Sequence, residues 1–151
     1  MTTTAPLLDP RVIALAHYAG RAVLETVLAR HGVTFQQSVT LRLAAVADGP
    51  VGRDRLADGV TGALKSDPAQ AHGVIDELID ARLLADGASD VRITEAGREL
   101  YARTSGETAP FSARIYEGIP VADLAVAGRV LSLITERADA ELAALSGSPR
   151  K

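Results

Sequence analysis

RLADGVTGALKSDPAQAHGVIDELIDARLLADGASDVRITEAGREL, residues 55–100, carries four structural signals end to end without a spacer. Arg53 to Gly59 reads as a short helix with Leu56 and Ala57 as its inward pair, and Gly59 and Gly62 bracket a loop after it. Asp67, Pro68 and Gln70 then supply an N-cap, a first-turn proline and a capping-box partner. Ala71, Val74, Ile75, Leu78 and Ile79 follow at the three- and four-residue spacing that lines one helical face. Leu83–Ala85 and Val91–Ile93 are short apolar runs joined by Asp86-Gly87-Ala88-Ser89-Asp90, a hairpin signal with glycine in the loop. Thr94 caps a further helix through Leu100 and Tyr101. Short helix, capped helix, hairpin and helix is the order of a winged helix-turn-helix, whose second helix enters the DNA major groove.

Working outward, Asp9 and Pro10 begin a helix whose Val12, Ile13, Ala16, Ala19, Val23, Val27 and Leu28 recur at helical spacing as far as His31-Gly32. Thr34 with Gln37 makes a capping box for a second, largely buried helix that runs to the turn Asp48-Gly49-Pro50. Beyond the hairpin, Thr104-Ser105-Gly106 to Pro110 weakens the helical pattern, so a bend or break is expected there before Phe111, Ile115 and Tyr116 resume it. From Pro120 the chain is helical again, with Leu124, Ala127, Leu131, Ile134, Ala138, Leu142 and Leu145 in one stripe. The fold class is therefore mainly α with a small β-hairpin wing: a winged helix-turn-helix lobe plus terminal helices. The long Ala/Val/Leu stripes of those helices are buried either by a second copy of the chain or by closing over the same lobe as a monomer.

Composition narrows the chemistry. With 151 residues, 47% of them hydrophobic, the chain can bury a core. It has no Cys, which excludes disulfides, cysteine-ligated zinc and thiol catalysis. Three Tyr, two Phe and no Trp leave Ala, Val, Leu and Ile to build the interior, so any pocket should be modest. The N-terminus lacks the basic and apolar segments of a secretory signal, and no apolar run approaches the roughly 20 residues of a membrane span, so a cytoplasmic protein with no membrane partner is expected. His17, His31 and His72 are not spaced as metal ligands, and no nucleophile motif or phosphate-binding glycine loop is present, so neither a metal, a cofactor nor an enzymatic activity is expected. Charge is uneven. Residues 1–47 carry four basic and two acidic groups, 48–105 seven and eleven, and 106–151 five and six. The reading head is thus the most acidic third, the reverse of the usual electrostatic footprint on DNA, unless its acids sit on solvated faces away from the duplex.

Leu56-Ala57, Val74-Ile75-Asp76-Glu77-Leu78, Leu83-Leu84 and above all Ile93-Thr94-Glu95-Ala96-Gly97-Arg98, in this order, resemble the MarR family of winged-helix transcription regulators over about residues 10–145. The resemblance implies one domain over 9–145, in which helices at 9–32 and 110–145 hold a homodimer and residues 34–104 form the winged-helix lobe, with flexible tails at 1–8 and 146–151. It implies a ligand-responsive repressor that binds a palindromic operator in double-stranded DNA and is released by a small effector. Base-facing positions carried over from the family fall at Ala69, Gln70, His72 and Gly73. Gln70 suits adenine, and His72 a base edge or phosphate, although capping competes for Gln70. Arg53, Arg55, Lys65, Arg82 and Arg92 are the basic candidates for phosphate. Similar proteins send an Arg from the hairpin tip into the minor groove, whereas Arg92 lies one residue before Ile93-Thr94, on the strand. Asp76, Glu77 and Asp80 on the capped helix face Arg82 alone. His17, Tyr18 and Arg21, within one turn of each other, either enter a cleft for an aromatic or carboxylate effector or belong to an interface. The alternative to a regulator is a dimeric small-molecule-binding or protein-interaction module of the same fold with weak or no DNA binding, and the acidic lobe favours it.

Overall fold

The structure, a computed structural model, describes residues 4–147. The outermost parts of the expected tails, 1–3 and 148–151, lie outside the described residues. Helix α1 (Pro10–Ala29) starts where Asp9 Oδ1 accepts the Val12 N–H at 2.8 Å, and it ends in Gly32 at φ 68°. Left-handed backbone at that position costs a side-chain-bearing residue energy and glycine almost none. Helix α2 (Phe35–Ala47) opens with both halves of the Thr34–Gln37 capping box. Only Thr40, Leu41 and Ala44 of α2 are fully buried and Val46 is exposed, so this helix is less enclosed than its composition predicts.

Three elements of the lobe depart from expectation. Helix α3 (Arg53–Leu64) continues straight through Gly59 and Gly62 instead of ending at the first of them. Leu56, Val60 and Leu64 repeat at four-residue spacing and pack on the lobe core, and that burial carries the helix through both glycines. Strand β1 (Val51–Gly52) was not expected, since two residues show no periodicity. It pairs antiparallel with β3 (Asp90–Ile93), which also pairs with β2 (Leu84–Asp86), giving a sheet of order β1-β3-β2. Val51 faces Val91, and Leu84 faces Ile93. Lastly, α5 (Glu95–Tyr116) runs unbroken past Thr104–Pro110, with Pro110 inside it. Thr104 and Thr108 turn their hydroxyls back onto the Leu100 and Thr104 carbonyls, 3.0 and 2.7 Å away, so these side chains bond within the helix rather than ending it.

Helix α4 (Pro68–Asp80) closes the lobe core. Asp67 accepts the Ala69 N–H at 2.7 Å. Leu83 N–H to Leu78 O and Arg82 N–H to Ile79 O, both 2.9 Å, end the helix with Arg82 in the left-handed region at φ 62°. Leu41, Ala44, Leu56, Ala57, Val60, Ala71, Val74, Ile75, Leu78, Leu84, Val91 and Ile93 form one buried cluster. The Ile93-Thr94-Glu95-Ala96-Gly97 sequence has a geometric reason. The Thr94 hydroxyl donates to Arg82 O at 2.7 Å while its oxygen accepts the Gly97 N–H at 3.0 Å, and a Cβ on Gly97 would stand 2.2 Å from Leu83 O.

The chain forms one compact unit up to Ser112 and a second from Ala113. The second contains α6 (Val121–Ser146), in which no residue is buried. Leu131, Leu133, Ile134 and Leu142 are between 39% and 45% exposed. The expectation that no stretch approaches a membrane span fails for α1, whose 20 residues have a mean hydropathy of 1.3. By length and composition alone that helix could cross a bilayer, and only Val27 and Leu28, near its C-terminal end, are fully buried.

Candidate nucleic-acid interface

The face of α4 opposite Ala71, Val74, Ile75 and Leu78 is the surface a winged-helix lobe presents to DNA. Ala69, Gln70 and Gly73 are exposed on it, and His72 is half-buried. Gln70 does not make the capping-box bond assigned to it: among the described residues its side chain has no hydrogen-bond partner, and Asp67 caps alone through Ala69 N–H. Its amide remains available for other partners. A Cβ on Gly73 would meet nothing within 4 Å, so packing inside the chain does not require glycine there.

His72 and Arg53 are joined to each other and to two acids. Arg53 Nε–H donates to His72 Nδ1 at 3.3 Å, its Nη2 donates to Asp76 Oδ1 at 2.5 Å and to His72 O at 3.4 Å, and His72 Nε2 lies 3.6 Å from Asp54 Oδ1. Because Nδ1 accepts, the ring proton sits on Nε2, facing Asp54. The acids of α4 therefore do not face Arg82. Asp76 holds Arg53, and Glu77 Oε2 accepts from Gln37 Nε2 at 2.9 Å. Sequence reasoning missed both pairings, because their partners lie 23 and 40 residues away.

The other basic candidates are spread around this face. Arg55 is exposed on the first turn of α3, and Arg92 is exposed on β3 across from Ala85, between the buried Val91 and Ile93. Lys65 ends α3 with φ 55° and donates from Nζ to Gly62 O at 2.7 Å. The wing is short. Three residues, Gly87–Ser89, join β2 to β3, and Arg53 N–H donates to Ser89 O at 3.2 Å.

A second feature lies within the first unit, a cavity of about 510 Å³ bounded by α1, α2 and α5. Leu24, Leu28, Val39 and Leu100 give it apolar walls, while Ser38, Arg42, Tyr101, Thr104 and Thr108 put polar groups on its lining. His17, Tyr18 and Arg21 do not line it. The Arg21 guanidinium stacks 4.2 Å from the Phe35 ring centroid, and the His17 ring meets the same ring edge-on at 6.5 Å. Phe35 is itself on the cavity wall, so those residues stand behind the lining. Arg42, the one charged group on the wall, was missed; its signal was a lone basic residue in the apolar run of α2. At the foot of α1, the hydrogen bond from His31 Nε2 to Glu107 Oε2, 2.8 Å, holds the Glu107 carboxyl below its ordinary pKa. Burial opposes this shift, and the charges of His31, Arg30 and Arg103 add to it. No group of three or more potential metal ligands gathers among the described residues.

No protein-family model and no curated protein sequence matches the chain. Solved structures do. NadR without ligand is 19% identical at a TM-score of 0.73, covering 88% of this chain and 98% of its own. CouR from Rhodococcus jostii RHA1, bound to p-coumaroyl-CoA, is 22% identical at 0.70, covering 82% and 88%. The Mycobacterium tuberculosis MarR family protein Rv2887 in complex with DNA is 20% identical at 0.66, covering 87% and 98%, and the same protein is also known with salicylic acid. At these identities the similarity is one of architecture: the chain has the winged helix-turn-helix fold seen in MarR-family regulators.

Proposed function

We propose that the chain is a homodimeric, ligand-responsive DNA-binding regulator of transcription, acting as a repressor at a palindromic operator in the cytoplasm. The observation that carries this reading is the α4 surface: a capped helix in a winged-helix lobe, with Gln70 unpaired and Gly73 open to close approach. Arg55, Lys65 and Arg92 supply positive charge around it. The exposed apolar side chains of α6 support a dimer, since a second copy would remove them from water. The cavity supports an effector with an apolar or aromatic body and a carboxylate, which Arg42 and the hydroxyls of Tyr101 and Thr108 suit. Rv2887 with DNA and salicylic acid, and CouR with p-coumaroyl-CoA, point the same way.

A second reading keeps the fold and the cavity but not the DNA, and the engagement of Arg53 and His72 by Asp76 and Asp54 favours it. Fluorescence anisotropy on DNA from the protein's own upstream region, across a salt series, separates the two. The regulator reading expects binding tighter than to random DNA, weakened about tenfold or more by Gln70→Ala, the order of one lost bidentate base contact. Equal affinity for both DNAs at every salt concentration would leave the second reading.

A further inference from the structure

Resting on the DNA-binding reading, we infer that Asp76 is an affinity-limiting residue of the interface: it occupies Nη2 of Arg53 in place of a DNA phosphate, so that full use of the guanidinium by DNA must break an internal ion pair. Arg53 is the first residue of α3 and lies against the middle of α4, between the two helices of the reading head. Its side chain is only 27% exposed, and three of its five N–H donors are engaged, Nε–H by His72 Nδ1 and Nη2 by Asp76 Oδ1 and His72 O. Asp76 is 62% exposed, so the carboxylate is the outer member of the pair and the guanidinium the sheltered one. A phosphate arriving from solvent meets that carboxylate first. It encounters negative charge where the interface needs positive charge, and gains the Nη2 donor of Arg53 only after Asp76 has moved.

Asp54 extends the same arrangement. Its carboxylate faces the ring nitrogen of His72 that carries the proton, the other donor this side chain could offer to DNA. Carboxylates thus face two of the candidate DNA-contacting side chains, Arg53 and His72, whereas Arg55 and Arg92 have no ion-pair partner among the described residues. Asp76 is the solvent-facing member, so deleting its charge while keeping its shape should leave the lobe intact.

Replacing Asp76 by asparagine keeps the shape and deletes the charge. Asp76→Asn is expected to bind DNA about tenfold tighter near 50 mM salt, with the slope of log affinity against log salt steeper by about 0.9, one additional phosphate. In an Arg53→Ala background the same change should gain much less, because the group it releases is gone. Asp80→Asn, which removes a charge from the same helix away from Arg53, should leave the slope unchanged. Thermal unfolding followed by circular dichroism checks that all variants fold. If wild type binds and Asp76→Asn is no tighter, or gains as much without Arg53, the inference fails while the regulator reading stands. If neither protein binds DNA at low salt, both fail.

Discussion

Ile75 and Ile134 are the same side chain in opposite circumstances. Ile75, on α4, has no exposed surface and is enclosed by the helices and strands of its own lobe. Ile134 sits on a 26-residue helix with an apolar stripe of its own, yet it is 39% exposed and has no buried neighbour on its helix. A periodic stripe states which side of a helix leaves water; it does not state what covers it. In the lobe the cover is encoded nearby, through caps, turns and a hairpin that fold α4 onto α2, α3 and the sheet. For α6 the proposed cover is another copy of the chain.

The largest expected effect tests that contrast directly. Ile75→Ala should cost about 2–5 kcal/mol of lobe stability, as a fall in thermal midpoint independent of protein concentration. Ile134→Ala should instead raise the dimer dissociation constant, by roughly 30-fold if this side chain is a hot spot worth about 2 kcal/mol. Sedimentation across a micromolar dilution series measures it. An unchanged monomer–dimer balance would remove the distinction between the two isoleucines.

Gly97→Ala comes next, at about 1–3 kcal/mol, the usual cost of overpacking. The added Cβ would stand 2.2 Å from Leu83 O, a carbonyl that also accepts from the Thr94 backbone N–H, so neither side yields easily. A chemical-denaturation midpoint equal to that of wild type would show that the start of α5 is looser than its contacts indicate.

The smallest effect concerns Glu107. Its folded pKa lies below its unfolded one, so the stability it contributes is fully present above the unfolded carboxylate pKa and is lost as pH falls through the lower folded value. Glu107→Gln should therefore flatten the acid limb of a plot of melting temperature against pH and leave the remainder of that plot similar in shape. An acid limb identical to wild type would mean that the His31 contact is not kept in solution.

The lobe was legible because its signals are local. Asp67-Pro68, Thr34 with Gln37, and Thr94 with Gly97 each act within three residues and are found in the structure doing so. Three local readings misled: Gln70 does not return the capping bond that its spacing from Asp67 suggests, and two expected helix breaks do not occur. Gly59 reads as a helix breaker, yet Leu56 and Val60 on either side of it are both buried in the lobe core, and Thr104–Pro110 reads as a break, yet Thr104 is itself buried and α5 continues through it. The candidate interface was less legible. The positions on α4 follow from helical periodicity, but the partners of Arg53 and Glu77 depend on where α3 and α2 cross α4, which no spacing along the chain encodes. Arg42 was obscured for the same reason: its helix was legible, but the cavity beside it is made by α1 and α5 as well.

β3 is the central strand of its sheet, bonded to β2 on one side and β1 on the other, and Ser89 at its tip is tied back to the start of α3. A longer, freer hairpin loses conformational entropy when it settles into a groove, about 1–2 kcal/mol for each residue it immobilises. Here that ordering has taken place during folding. A wing so anchored has little freedom left to lose, so any partner that meets this edge of the lobe meets a surface already in its final shape.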